Sequence, residues 1–254
     1  MIDERWFKYL PRLNKGEAFI AFGAARHKYV EGVKTTRGVE FVLLTPDEAL
    51  NKKSKLDPTK KMTPEEYITD KLTLLEGRTK LAKAGYPEES FVFYFDMNPK
   101  DLVAGYAGTC QLGLKRIVER NLPKLRSIPF DFYSQVHKHN SRHLFVLLDV
   151  DEKNPDLLNT INELLIEDVY YEVETHGGYH VIVRKTDTTR QITRNQIMPL
   201  ASPLLDEEGN VQWHQDGNKW RQKMNITFAP RVQTPVPGTL QGGFEVKFLG
   251  GCLE

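Results

Sequence analysis

The residues best suited to chemistry in this 254-residue sequence are Asp149 and Asp151, which flank Val150 at the end of the apolar run 144–150. Side chains on a strand repeat every two residues, so both carboxylates point to one side and Val150 enters the opposite layer. Two carboxylates this close repel, and one takes up a proton unless a cation sits between them. Oxygen donors select Mg²⁺ or Mn²⁺, held by one or two carboxylates plus the phosphates of a substrate. That pattern suits phosphoryl transfer. The plain alternative is a strand that ends in two solvated acids.

A second element is residues 174–183, ETHGGYHVIV, which read as a Gly-Gly turn and then an apolar strand. By alternation His180, Ile182 and Arg184 share one face, while Tyr179, Val181 and Val183 share the other. The two glycines let backbone or a ligand's phosphates approach closely, and His180 can donate a hydrogen bond to such a phosphate. Its plain alternative is a partly buried histidine satisfied by a backbone carbonyl. The third element is residues 231–246, RVQTPVPGTLQGGFEV. Pro237-Gly238 enforces a turn, and Arg231 and Thr239 are within reach of phosphate oxygens. On local chemistry alone this stretch is a connection between strands.

The elements that must position these residues follow from hydrophobic periodicity. From about Ser141 the pattern predicts a strand over 144–150 covered on both faces, a helix over 155–166, and strands over 169–174 and 179–185. Together these begin a small α/β sandwich. Residues 186–215 are ambiguous apart from a turn at 208–210, and strands over 220–229 and 243–249 close the chain. The first half predicts strands at 18–22, 27–30 and 39–44, then an exposed charged loop at 51–61. A helix starts at the Thr63 cap with Pro64 and two acids behind it and runs to about residue 84. A short strand at 91–95 and a turn at 98–101 lead into a helix with Leu102, Tyr106, Cys110, Leu114 and Ile117 at near-helical spacing.

Bulk composition narrows the partners. Lys plus Arg number 35 against 34 Asp plus Glu, a net charge of +1, so a nucleic-acid partner must be held by a local patch rather than a global basic field. Cys110 and Cys252 are the only cysteines, which excludes a disulfide framework and a Cys-rich zinc module. The N-terminus lacks a basic region followed by an apolar stretch, and no apolar run reaches membrane-spanning length. The expectation is a cytoplasmic protein with no membrane partner.

Taken in order, the three elements resemble the archaeo-eukaryotic primase and primase-polymerase superfamily over roughly residues 140–250. That superfamily carries Asp-x-Asp on a strand, then a small-residue-x-His motif in a Gly-containing turn, then a strand with a third acid. In its archaeal and eukaryotic catalytic subunits a Pro-Gly-Ser-Leu-His-Gly-type segment follows. Here Asp149 and Asp151 match the first motif, Gly178-Tyr179-His180 the second, and residues 237–242 (PGTLQG) the last. The resemblance implies an α+β fold, an N-terminal α/β module (1–140) packed on a C-terminal RRM-like antiparallel-sheet module (141–254) as one bilobed unit, with the active site in the cleft between them. It implies that Asp149 and Asp151 hold Mg²⁺ or Mn²⁺ and that His180, Arg184, Arg231 and Thr239 bind the nucleotide. The reaction implied joins NTPs or dNTPs on a single-stranded DNA or RNA template, with a helicase or other replication partner supplied separately. The third acid falls near Lys223, with Asp216 lying earlier in the chain, and the segment's histidine is Gln241 here.

That departure gives the main alternative, a catalytically inactive accessory protein of the same fold that binds nucleic acid or nucleotide. A further alternative is a metal-dependent phosphoesterase or nuclease that adds His137, His139 and His143 to the acid pair. Those histidines (HKHNSRH) otherwise form a solvated basic loop able to touch phosphate. Arg26, Lys28, Arg116, Arg120, Lys124 and Arg126, interleaved with aromatics, could line a nucleic-acid groove or simply solvate a surface. Residues 108–115 (GTCQLGLK) lack the adjacent Gly-Lys and the following Ser or Thr of a phosphate-binding loop.

Overall fold

A computed structural model of the chain describes residues 2–26, 37–45, 52–54, 57, 59–77, 85–216, 219–229 and 231–251. In chain order the first half gives β1 (Glu17–Ala25), β2 (Arg37–Leu44), α1 (Pro64–Gly77), β3 (Phe91–Asp101), α2 (Leu102–Val118) and α3 (Ile128–Lys138). The second half gives β4 (Phe145–Val150), α4 (Pro155–Leu164), β5 (Val169–Glu174), β6 (Tyr179–Arg184), α5 (Asp187–Ile192), β7 (Trp213–Asp216), β8 (Lys219–Gln222), β9 (Ile226–Ala229), β10 (Gln233–Pro235), β11 (Leu240–Gln241), β12 (Phe244–Glu245) and β13 (Lys247–Gly250). The class is α+β with antiparallel sheets, as the motif order implied.

Two sheets organise the molecule. The first has the order β10-β3-β1-β2, the second β13-β5-β6-β4-β9, and every pairing is antiparallel. β4 is an interior strand of the second sheet, between β6 and β9, and is covered on both faces, as its unbroken apolar run predicts. Phe145 and Leu147 join Tyr171, Val173 and Ile182 in a core shared with Trp6, Phe93 and Phe95 of the first half. Val146, Leu148 and Val150 face the other way, against Leu158 and Ile161 of α4. That helix begins where Asn154 accepts hydrogen bonds from Asp156 N and Leu157 N ahead of Pro155.

The two sheets are joined by the chain itself. After β9 pairs with β4, the next residues cross over and β10 pairs with β3, with Val232 and Val236 buried on either side of β10. Buried Asn98 of β3 makes the second join. Its Oδ1 accepts from Leu144 N (2.9 Å) and Phe145 N (3.1 Å), and its Nδ2 donates to Phe145 O (3.1 Å). Glu17 of β1 makes the third, accepting from Arg142 Nη2 (2.7 Å) and Ser141 Oγ (2.6 Å). Burial works against that carboxylate's charge, but the bonds from Arg142, Asn14 and Ser141 outweigh it and hold the group at about 2.

Several local expectations are corrected. Residues 98–101 continue β3 instead of turning, because the β1 ladder extends to Glu17↔Asp101 after a bulge between Ala18 and Ile20. Asp101 then caps α2 by accepting from Ala104 N at 2.9 Å. The expected strand 220–229 is two strands with different partners, β8 in a hairpin with β7 and β9 beside β4. α1 is described only to Gly77, and the expected strand 27–30 and the end of that helix lie outside the described residues. Among the described residues no helix is long and apolar enough to cross a membrane.

α2 is turned the opposite way from an ordinary amphipathic helix. Its buried positions are Gly105, Thr109 and Gly113, which pack toward α3, while Val103, Tyr106, Leu114, Ile117 and Val118 are 53–81% exposed. Arg116 is tied to Asp131 of α3 at the same contact. The small residues set the spacing: a Cβ on Gly105 would overlap Val136 Cγ2 and lie 2.9 Å from Val136 Cα. We therefore expect Gly105→Ala to force the two helices apart and lower stability by about 1–3 kcal/mol, read as a drop in the urea midpoint without loss of strand signal.

Candidate functional site

Antiparallel pairing places the predicted residues together. Asp149 lies directly across from His180 on β6 and from Thr227 on β9, so the three side chains share the face turned toward the first sheet. His180 Nε2 is 3.3 Å from Asp149 Oδ1. The ring is buried, and its Nδ1 has no hydrogen-bond partner among the described residues. Asp151 follows the end of β4, where its backbone N–H donates to Asn225 O at 2.8 Å and extends the ladder with the β9 side.

The turn before β6 packs directly on this acid pair. Thr175 N donates to Gly178 O (2.8 Å), and Gly178 N donates to Thr175 Oγ1 (3.2 Å). A Cβ on Gly178 would overlap the Val150 carbonyl oxygen and lie 2.6 Å from Glu152 N, so only glycine lets the turn sit against residues 150–152. Buried Gln241 locks the turn from the other side, its Oε1 accepting from His176 N at 2.8 Å, and it also bonds the Tyr94 side chain.

These groups line an open cleft of about 640 Å³ between the two sheets. Asp149, Asp151, Thr175 and His180 form one wall, and Phe22, Ala24, Arg26 and Tyr94 of the first sheet form the other. Arg231 comes from the crossing between the sheets, Gln233 from β10, Lys223 from the segment between β8 and β9, and Gln241 from β11. Arg26 Nη1 donates to Tyr94 OH at 2.5 Å, and burial pushes that phenol up against the opposing Arg26 charge. Two carboxylates thus share the cleft with three cations, Arg26, Lys223 and Arg231. The volume falls within the range of small-molecule sites.

Two predicted nucleotide ligands are not in this cleft. Arg184 shares the His180 face but pairs with Phe145, four residues and about 13 Å further along the strand, with its guanidinium 5.4 Å from the Tyr170 ring. Thr239 is buried, and its hydroxyl donates to Val236 O at 2.7 Å within the Pro237-Gly238 turn. Arg231 is in the cleft because it lies on the crossing between β9 and β10. The clustered histidines also separate. His143 Nδ1 meets Asn140 Nδ2 at 3.3 Å, whereas His137 contacts the Gln233 amide. Among the described residues no group of three or more His, Cys, Asp and Glu side chains could hold a metal ion.

Sequence reasoning missed the polar layer under the cleft floor. Asp96 and Lys100 of β3 form an almost fully buried ion pair at 2.6 Å, and Lys100 Nζ also reaches Asn140 Oδ1. Burial disfavours both charges, raising Asp96 and lowering Lys100, while each partner opposes the other's shift. The available signal was Asp96, Asn98 and Lys100 at two-residue spacing directly after an apolar strand, which puts three polar side chains on one face. His137 Nε2 lies 3.6 Å from Asp96 Oδ2, a carboxylate already committed to Lys100. Burial, then the charges of Lys100 and Arg231, hold His137 down at about 4.

Asp149 and Asp151 bring carboxylate oxygens to an open cleft beside His180, but the three do not form a three-ligand group, so a divalent cation there would need water or phosphate to complete its coordination. Comparison of the chain with protein-family models, with curated proteins and with solved structures returns no match. The reading of the site therefore rests on its geometry and on the motif order.

Two outcomes follow. Gly178→Ala is expected to push the 175–178 turn off residues 150–152 and lower Tm, measured by thermal unfolding. His137 is protonated below about 6.5 when unfolded but only below about 4 when folded. Its contribution is complete above 6.5 and is lost as pH falls toward 4. Urea midpoints at pH 5 and pH 7 should differ less in His137→Gln than in the parent protein.

Proposed function

We propose that the cleft is the nucleotidyl-transfer site of a primase-polymerase-like enzyme that joins NTPs or dNTPs on a single-stranded template. The observation that carries this reading is the convergence of Asp149, Asp151 and His180 with Arg26, Lys223 and Arg231 on one cavity between two antiparallel sheets. A triphosphate needs both kinds of group. The carboxylates hold Mg²⁺ or Mn²⁺, and the guanidinium and ammonium groups bind phosphate oxygens the ion does not reach. When bound, the ion supplies Lewis-acid stabilisation of charge developing on the phosphoryl oxygens.

The chain's own residues do the positioning. His180, fixed by its cross-strand place beside Asp149, orients that carboxylate. Gly178 lets the 175–178 turn pack against residues 150–152 and so holds the end of the acid-pair strand in place. The N-terminal α/β and C-terminal RRM-like arrangement of the superfamily supplies the rest of the reading, with the first sheet as the wall against which the nucleotide is held.

One observation favours a second reading. Lys223 lines the cleft near the position where the superfamily carries its third acid. A lysine there contributes positive charge instead of a third metal ligand, which fits a protein that binds nucleotide or nucleic acid as an accessory and does not polymerise. Incorporation of labelled nucleotide on primed and unprimed templates, with Mg²⁺ or Mn²⁺, separates the two. Incorporation that falls by ~10²-fold or more in Asp149→Ala supports the transferase. Metal-dependent nucleotide binding without incorporation supports the accessory role, and cleavage of the template strand in the same samples would overturn both.

A further inference from the structure

The exposed face of α2 has an order that solvation does not explain. Val103, Ala107, Cys110, Leu114 and Ile117 follow one another at spacings of four, three, four and three, which gives one straight apolar stripe along the helix. No charged residue occurs from Leu102 through Leu114. The opposite side of the helix is already used, with Gly105, Thr109 and Gly113 packed toward α3. The stripe is therefore not a spare core surface awaiting a neighbour within the described residues. Among the described residues, eight of the 17 large exposed apolar side chains fall between Val103 and Phe130, among them Leu122 at 58%. A concentration of this kind marks an interaction site, unlike single scattered residues.

We propose that this face pairs with the same face of a second copy of the chain, α2 against α2 antiparallel, about a twofold axis at Cys110. Self-complementarity argues for that occupant. An isologous contact requires residue i to meet j where j meets i, and the stripe is close to its own reverse about residue 110. Val103 then faces Ile117 of the other copy, Ala107 faces Leu114, and Cys110 faces its equivalent. The ends are complementary in charge, because the same register sets Arg120 near Asp101 of the other copy. Small Ala107 and Cys110 at the centre permit close approach, with the larger Val103, Leu114 and Ile117 closing the contact outward.

Size sets the strength. Seventeen residues of helix span about 25 Å, so the α2 pair alone covers less than the roughly 800 Å² per partner of a standard stable interface. The association expected is reversible, with a dissociation constant on the order of micromolar.

Sedimentation of the full chain between 1 and 200 µM should show monomer converting to dimer. Leu114→Glu and Ile117→Glu, both exposed and so compatible with folding, should each weaken the dimer at least about tenfold. In a Cys252→Ser background, mild oxidation should join two chains through Cys110, whereas Cys110→Ser should dimerise without cross-linking. A parent protein that stays monomeric at 200 µM overturns the proposal. So does a dimer that neither glutamate variant weakens, or one that forms no Cys110 cross-link.

Discussion

The structure depends on the short crossing from β9 to β10. Between β9, at the edge of the second sheet, and β10, at the edge of the first, the chain passes from one sheet to the other. Val232 and Val236 anchor that passage in the shared core. Each sheet therefore has an edge strand drawn from the same short segment, so a shift in one sheet is transmitted to the other. Asn98 bridges β3 to the start of β4 through both its amide oxygen and its amide nitrogen, and Glu17 holds the loop before β4 through Arg142. The cleft is the space these joins leave open. Its width is set by the same contacts that fix β4.

Charge is distributed across the cleft in two layers. The open layer has carboxylates on β4 and cations on the links and the opposing sheet. The closed layer beneath has the Asp96–Lys100 pair, buried and bordered by His137 and Gln233. A buried ion pair contributes little net stability relative to an apolar substitute, yet removing one partner costs about 3–5 kcal/mol. The pair is best understood as fixing the geometry of β3 under Arg231 and Gln233, because it accepts only one arrangement of its neighbours. The neutral state of His137 follows from the same layer, since burial and two nearby cations oppose a further positive charge.

Away from the cleft, the α2–α3 hairpin follows a different logic. Its internal contact is made by glycines and a threonine that let the helix backbones come close, and this leaves the larger apolar side chains pointing outward. A helix normally buries its widest apolar stripe. Here the tighter stripe is buried and the wider one exposed, which separates the part of the molecule suited to association from the part suited to chemistry.

Much of the site was legible in the sequence because it depends on local alternation. The places of Asp149 and His180 follow from the period of two along β4 and β6, whereas the need for Gly178 comes from the close approach of its turn to residues 150–152. The strands carrying them were legible because long apolar runs between turn residues leave few choices. What sequence alone determined is thus which residues share a face. Tertiary structure decided which faces meet. It put Arg231 in the cleft and withdrew Arg184 and Thr239, divided residues 220–229 between two sheets, buried Asp96 and Lys100, and turned the apolar stripe of α2 outward. Those outcomes depend on contacts between segments far apart in the chain, and hydrophobic periodicity cannot encode them because it reports that a face is apolar without saying what will cover it.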